Sequence, residues 1–425
     1  MQLYYFLAVI LSLSLGSLPD SNQPFGHAVG FSGLVIVAWW GLCYLAVRMV
    51  AGLIDKGEVD ATVGYDWFDR QTECFRWFSL GLILLCLGGF GLGRNLDRLP
   101  LTQHSLALQS IVLLFPAIAM MAGLWAGESL FAARMGVARR GGWATLTSTF
   151  SALRCSVGWL IAPIIGFLAI IDLISLTAVG DQIPNWAAWI ALVVVMVAGI
   201  PILVRRVFPT RPIDAATKQW IQSVVNSGGI RRCKIVMWDT NHQTHNAMIA
   251  GLFGRFRVLL LSDRLVRDLT REELAMVILH EVAHAKRFHV PLRVLALVPA
   301  WLLGAGLERG LLHDSMPVGA ADWAADWAAD WAGTLGSVLS LVATVLILRW
   351  VSYRSEFDAD TVACSLAPAV SRSCERVPAT EPDARRQLAS ALLRVTEGCA
   401  AARKPTWLHP GIADRINAFS PPQVA

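Results

Sequence analysis

Two histidines and a glutamate form the string His280-Glu-Val-Ala-His284, with Glu281 directly after the first histidine. On a helix, residues four apart share one face. Both imidazoles can then reach a single Zn²⁺ at roughly 2.0 to 2.1 Å, while the adjacent carboxylate addresses the water to be activated. The chemistry of such a set is metal-assisted hydrolysis, with Glu281 as general base. A site of this type keeps one position open and takes a third protein ligand from elsewhere. Glu356, in the segment Tyr353-Arg-Ser-Glu-Phe-Asp-Ala-Asp360, is the candidate. Asp360, four residues on and on the same helical face, is placed to accept a hydrogen bond from the second nitrogen of a ligand histidine. Asp358 is expected to point away. From the residues alone, a merely buried histidine pair and a surface role for Glu356 both stay open.

The helix that the motif requires is announced just before it. Thr270 followed three residues later by Glu273 makes a capping box, which starts a helix expected to run to about His289, where Pro291 interrupts or turns it. Residues Ala215 to Val225 read as a further helix, and Cys233 to Trp238 and Val258 to Leu261 as short strands. The strand Val258 to Leu261 is expected to hold an extended peptide by edge pairing. His289 is assigned to the carbonyls at the helix end. His242 and His245 are assigned to the surface of a loop or strand.

These polar elements are set in a chain that needs lipid. Of its 425 residues, 55% are hydrophobic and only 16% charged, with a mean hydropathy of +0.53. A soluble protein of ordinary composition is not like this. Eight apolar runs approach or reach the roughly 17 to 25 residues that cross a bilayer: Leu3 to Leu18, Gly33 to Ile54, Trp77 to Gly93, Ser105 to Trp125, Val157 to Val179, Trp186 to Val204, Pro291 to Leu312 and Ala332 to Val351. The first is short and has a signal peptide as its alternative. Asp172, inside the fifth run, is expected to reach the external interface. Arg134, Arg139, Arg140 and Arg154 crowd the loop between the fourth and fifth runs and mark it as cytoplasmic. Arg205, Arg206, Arg211 and Lys218 agree, as do Arg349 and Arg354, whereas Arg94 and Arg98 run against the scheme. The candidate site therefore faces the cytoplasm. The eight cysteines imply neither a disulfide framework nor a thiolate metal site. The net charge of +5 reflects loop arginines near anionic lipid, and no basic stripe with interleaved aromatics suits nucleic acid.

Four parts follow: a six-span membrane region (1–204), a cytoplasmic segment with the histidine motif (205–290), a two-span hairpin (291–351) and a C-terminal segment with the third ligand (352–425). The hairpin contains a four-residue Asp-Trp-Ala repeat around Trp323, Trp327 and Trp331. It is expected to rest as a helix in the external membrane interface, with a recent repeat expansion of no specific role as the alternative.

Beyond these local readings, the stretch from about Ile230 to Phe419 resembles the membrane metallopeptidases of the HtpX and type 1 CAAX prenyl endopeptidase group, which are gluzincins. The resemblance rests on Asn246-Ala-Met-Ile-Ala-Gly, Val258-Leu-Leu-Leu-Ser-Asp, Val277-Ile-Leu-His-Glu-Val-Ala-His, Arg354-Ser-Glu-Phe-Asp-Ala-Asp360 and His409-Pro-Gly-Ile-Ala-Asp-Arg-Ile416. It implies that Glu356 is the third zinc ligand and Asp360 its neighbour's support, and that Asn246 and His409 lie near the substrate or the developing oxyanion. The expected protein is an α-helical membrane protein with an α+β gluzincin-type domain, one Zn²⁺ per chain, acting on membrane proteins or membrane-associated peptides in an inner or plasma membrane. The competing readings are a signal transducer that cleaves one cytosolic regulator and a catalytically silent scaffold. The spans before the motif match neither subgroup, and substrate and oligomeric state stay open.

Overall fold

The computed structural model describes residues 2–15, 24–98, 102–176, 199–240, 242, 244–251, 254–314, 322–397 and 403–419. The chain divides into two compact units, Met1–Phe208 and Pro209–Ala425.

The first unit is helical: α1 (Gln2–Ser14), α2 (Phe25–Asp55), α3 (Ala61–Leu84), α4 (Leu106–Arg134), α5 (Gly142–Leu153), α6 (Trp159–Ser175) and α7 (Ile200–Val207). Wider five-residue π turns extend α3 through Leu85–Gly89 and join α5 to α6 through Arg154–Gly158. Its core gathers Trp39, Ile83, Leu87, Leu114, Met120 and Met121. Two charged groups in this apolar bundle, Arg76 and Asp172, find partners inside it, where lipid offers none. Arg76 is almost fully buried and is held by Glu73 at 2.7 Å and Glu128 at 2.6 Å. Asp172 closes the start of α4, accepting hydrogen bonds from Ser105 Oγ at 2.7 Å and from the amides of Leu106 at 2.9 Å and Ala107 at 3.0 Å. The unpaired amides at a helix start are good partners for a carboxylate.

The second unit contains β1 (Thr210–Arg211), α8 (Ala215–Ser227), β2 (Lys234–Trp238), β3 (Ala247–Ala250), β4 (Val258–Ser262), α9 (Asp263–Asp268), α10 (Arg271–Lys286), α11 (His289–Leu295), α12 (Leu297–Asp314), α13 (Asp322–Ser371), α14 (Glu381–Val395) and α15 (Ile412–Phe419). The four strands form one sheet in the order β1-β2-β4-β3, with β2 and β4 parallel and the other pairs antiparallel. The edge role expected for Val258 to Leu261 is therefore wrong. β4 is fully buried and paired on both sides, which is what an unbroken apolar run signifies, and the edges belong to β1 and β3.

Helix α10 starts at the expected capping box, with Thr270 N donating to Glu273 Oε2 at 2.8 Å and Glu273 N to Thr270 Oγ1 at 3.3 Å. It buries Leu274, Ala275, Met276, Ile278, Leu279, Val282 and Ala283 in the unit's core. It ends at Lys286, earlier than expected, because Phe288 adopts a left-handed backbone with φ +55°. Pro291 then falls in the first turn of α11, where its missing N–H costs nothing.

Among the described residues, six helical segments are long and apolar enough to cross a membrane: Phe25–Asp55, Ala61–Leu96, Leu106–Arg134, Gly142–Ser175, His289–Gly310 and Leu335–Ser371. Of the eight expected spans, the first is a shorter apolar helix, Leu3–Ser14, and most of the sixth lies outside the described residues. The Asp-Trp-Ala repeat from Asp322 onward is not a separate surface helix. It continues unbroken into the last span as part of the 50-residue α13, since alanine-rich sequence has no reason to stop a helix there.

Candidate metal centre

Helix α10 presents His280 and His284 one turn apart, and α13 brings Glu356 against them. His280 Nε2 and His284 Nε2 are 3.1 Å apart. Glu356 Oε2 is 3.5 Å from the first and its Oε1 is 3.5 Å from the second. Ligand atoms of a tetrahedral zinc site with ordinary bond lengths stand about 3.4 Å apart, so the spacing suits one ion without rearrangement. Among the described residues, these three form the group able to hold a metal. All three are buried. Two imidazoles and a carboxylate are donors that a zinc-type dication accepts readily.

The surroundings fix these donors. His280 Nδ1 lies 2.8 Å from Asp360 Oδ1, and Asp360 is itself clamped by Arg415, whose Nε and Nη2 donate to the two carboxylate oxygens at 2.8 and 2.7 Å. Glu356 also receives a hydrogen bond from Arg293 Nη2 at 3.1 Å, with His409 Nδ1 at 3.3 Å and Arg415 Nη1 at 3.6 Å. Burial disfavours charge on both histidines. For His280 the adjacent Asp360 carboxylate more than offsets it and pushes the ring up to about 10. Burial, reinforced by His280, drives His284 far below the histidine range and keeps it neutral.

Glu281 projects toward the sheet. Its Oε2 accepts a hydrogen bond from the amide of Ile249 in β3 at 3.1 Å. Burial pushes its carboxyl up to about 7. His409 stands at the rim, partly exposed, its loop closed by Thr406 N donating to His409 O at 2.8 Å and by Tyr353 Oη donating to Thr406 O at 2.6 Å. Asn246 leads into β3, where its N–H donates to Ser262 Oγ and its carbonyl accepts from Ser262 N, both at 2.9 Å. Among the described residues its side chain is exposed and bonds to none of the groups of the centre. The structure thus gathers His280, Glu281, His284, Glu356, Asp360 and His409 directly, and Asn246 only through the strand it begins.

Sequence reasoning missed three participants. Arg415 and Arg293 were not singled out from the sequence. Arg415 falls inside the last family motif, and that position was the one available signal. His289 does not meet the helix-end carbonyls: it contacts His284, and Asp358, expected to point away, contacts His289 in turn. His245 pairs with Asp268 at 3.0 Å and His242 lies 3.3 Å from Asp263, so both are held on α9 rather than at the centre.

Residues 214–422, which include every residue of the centre, match peptidase family M48. The fold is similar to that in a crystal structure of S. mikatae Ste24p, with a TM-score of 0.51 and 17% sequence identity over 94% of this chain and 100% of that one. No curated protein matches the chain. Residues 214–422 thus carry a peptidase family M48 domain, and together with the six apolar spans among the described residues and the histidine-histidine-glutamate group this makes the chain a membrane metalloprotease.

Proposed function

We propose that the protein is a zinc-dependent endopeptidase that cleaves membrane proteins or membrane-associated peptides at the cytoplasmic face. The observation that carries this is the meeting of His280, His284 and Glu356 around one point with the Glu281 carboxyl alongside. Zinc held by these three would supply Lewis acidity toward the scissile carbonyl and lower the pKa of water toward about 7. Glu281 accepts the proton of the attacking water as its oxygen bonds to the carbonyl carbon. The same carboxyl then passes that proton to the amine nitrogen as the C–N bond breaks. Burial favours the protonated form of the Glu281 carboxyl, which helps it hold the proton between the two transfers. The amide of Ile249 holds one oxygen of Glu281 and leaves the other for the water.

The backbone of β3 offers the substrate a place. Even-numbered residues hydrogen-bond to β4 in this register, so Ala247 turns its amide and carbonyl to the open edge, and Ile249 its carbonyl, its amide being taken by Glu281. An extended peptide laid there passes beside Glu281. His409 and Asn246 are assigned to the developing oxyanion, a role worth about 3 to 4 kcal/mol in other enzymes. The test is Glu281→Gln in the full-length protein. The amide keeps the size of the carboxylate, so zinc content should be unchanged while proteolysis of a membrane-protein substrate is lost. Near-normal cleavage by this variant would overturn the mechanism.

A further inference from the structure

Asp360 steadies one of the two histidines, and the other has a different attendant. His289 opens α11 directly after the left-handed Phe288, and this turn brings its ring back against His284. Nδ1 of His289 is 2.8 Å from Nδ1 of His284, with the two rings at 77°. Nε2 of His289 is 3.1 Å from Asp358 Oδ2. Asp358 is held from outside by Arg287, whose Nε and Nη2 donate to it at 3.0 and 2.9 Å. His289 itself is 4% exposed.

The protons in this row can be placed by elimination. Two imidazole nitrogens 2.8 Å apart share one hydrogen, so one donates and the other accepts. His284 turns its Nε2 to His280 and Glu356, which makes Nε2 the metal-facing lone pair and leaves the ring's hydrogen on Nδ1. Nδ1 of His289 is then the acceptor, its hydrogen sits on Nε2, and that hydrogen is donated to Asp358. Every polar atom in the row is satisfied by this one arrangement.

We propose that His289, backed by Asp358 and Arg287, is the positioning residue that holds His284 in its metal-ligating tautomer and orientation. This rests on the reading of His280, His284 and Glu356 as the metal ligands. One helix, α13, would then carry a ligand and the supports of both histidines, with Asp360 acting on His280 directly and Asp358 acting on His284 through an interposed ring. Such supports typically change metal affinity by about 10- to 100-fold when removed.

The test uses full-length protein in detergent and two readouts: zinc release into excess chromophoric chelator, and the visible absorption of the Co²⁺-substituted protein. His289→Phe keeps a ring but removes the acceptor, whereas His289→Asn places an amide oxygen near the position of Nδ1. The Phe variant should release zinc about 10- to 100-fold faster and alter the cobalt bands, with Asn within about threefold of wild type. Asp358→Ala should also speed release, and should add little on top of His289→Phe. Wild-type release from the Phe variant, or equal losses from Phe and Asn, would overturn the proposal. If the Phe variant does not fold, Asp358→Ala decides, and unchanged release from it counts against the proposal. Glu356→Ala is the control for the underlying reading: if it retains zinc as tightly as wild type, the ligand set itself is wrong, whatever His289 does.

Discussion

Replacing Asp360 by asparagine removes one negative charge from the centre while leaving a side chain of nearly the same shape. Asp360 is 1% exposed, so water cannot make good the loss. Two groups feel it. Arg415, 12% exposed at its side chain, loses two charge-assisted hydrogen bonds. Breaking a buried ion pair by neutralising one partner costs about 3 to 5 kcal/mol. Here Arg415 still has Glu356 at 3.6 Å and the amide oxygen still accepts one bond, so about 2 to 3 kcal/mol is expected, the upper part of the range for hydrogen bonds to charged groups. His280 loses the carboxylate at its Nδ1, and with it the basicity and orientation that a ligand histidine draws from such a partner. A neutral acceptor remains, which sets the loss of zinc affinity near the lower bound of about tenfold, or about 1.4 kcal/mol. Competition with a chromophoric chelator gives the affinity, and denaturant unfolding of the zinc-saturated and chelated protein separates it from stability. Unchanged zinc affinity in a folded Asp360→Asn protein would refute the reasoning. So would a variant more stable than wild type, since Arg415 would then not depend on the pair.

Three further outcomes are expected. Glu356→Ala should abolish stoichiometric zinc by elemental analysis, whereas His409→Ala should keep it and lower kcat by about a hundredfold; loss of metal from the His409 variant would make that histidine a ligand instead. Gly304→Ala should loosen the α12–α13 hairpin by about 1 to 3 kcal/mol, seen as a lower melting temperature in detergent, because an added Cβ runs into the carbonyl oxygen of Gly336 and the Ser340 side chain. The third concerns acid. Burial alone would raise Glu273, but hydrogen bonds from Ser390 and Thr270 outweigh it and hold the carboxyl below its usual range. A carboxyl depressed on folding contributes stability that is complete above its unfolded value near 4.3 and lost as pH falls through the folded value. Wild-type and Glu273→Gln melting temperatures should therefore differ at pH 7 and converge below about pH 4; a gap that persists undiminished at pH 3 would remove the linkage.

What the sequence made legible was local. The histidine pair on a capped helix depends on neighbours within one turn, and Thr270, Glu273, His280 and His284 all stand as that spacing requires. Glu356 was ambiguous by itself, because nothing in a single turn of α13 distinguishes a buried carboxylate from an exposed one. The strand Val258 to Leu261 was found, yet its place in the sheet was not: strand order is a pairing between distant segments, and only the unbroken apolar run hinted that both its edges were taken. His289 was misassigned for a similar reason. A histidine near a helix end ordinarily meets carbonyls, and the left-handed Phe288 that redirects it leaves no trace in the hydrophobic pattern.

Helix α13 spans 50 residues and so extends about 75 Å at the usual rise. Gly336 and Ser340 lock its angular phase where it packs on Gly304, and Glu356 is read out farther along the same rod. Each residue turns the rod by about 100°. One residue added between Gly336 and Glu356 would swing the carboxylate away from the two histidines, and Asp358 and Asp360 with it. The Asp-Trp-Ala units stand ahead of that lock. Their number can grow or shrink without changing the bearing of anything beyond Gly336, which makes the start of α13 a place where the chain can vary its length while the counting that matters to the metal centre stays fixed.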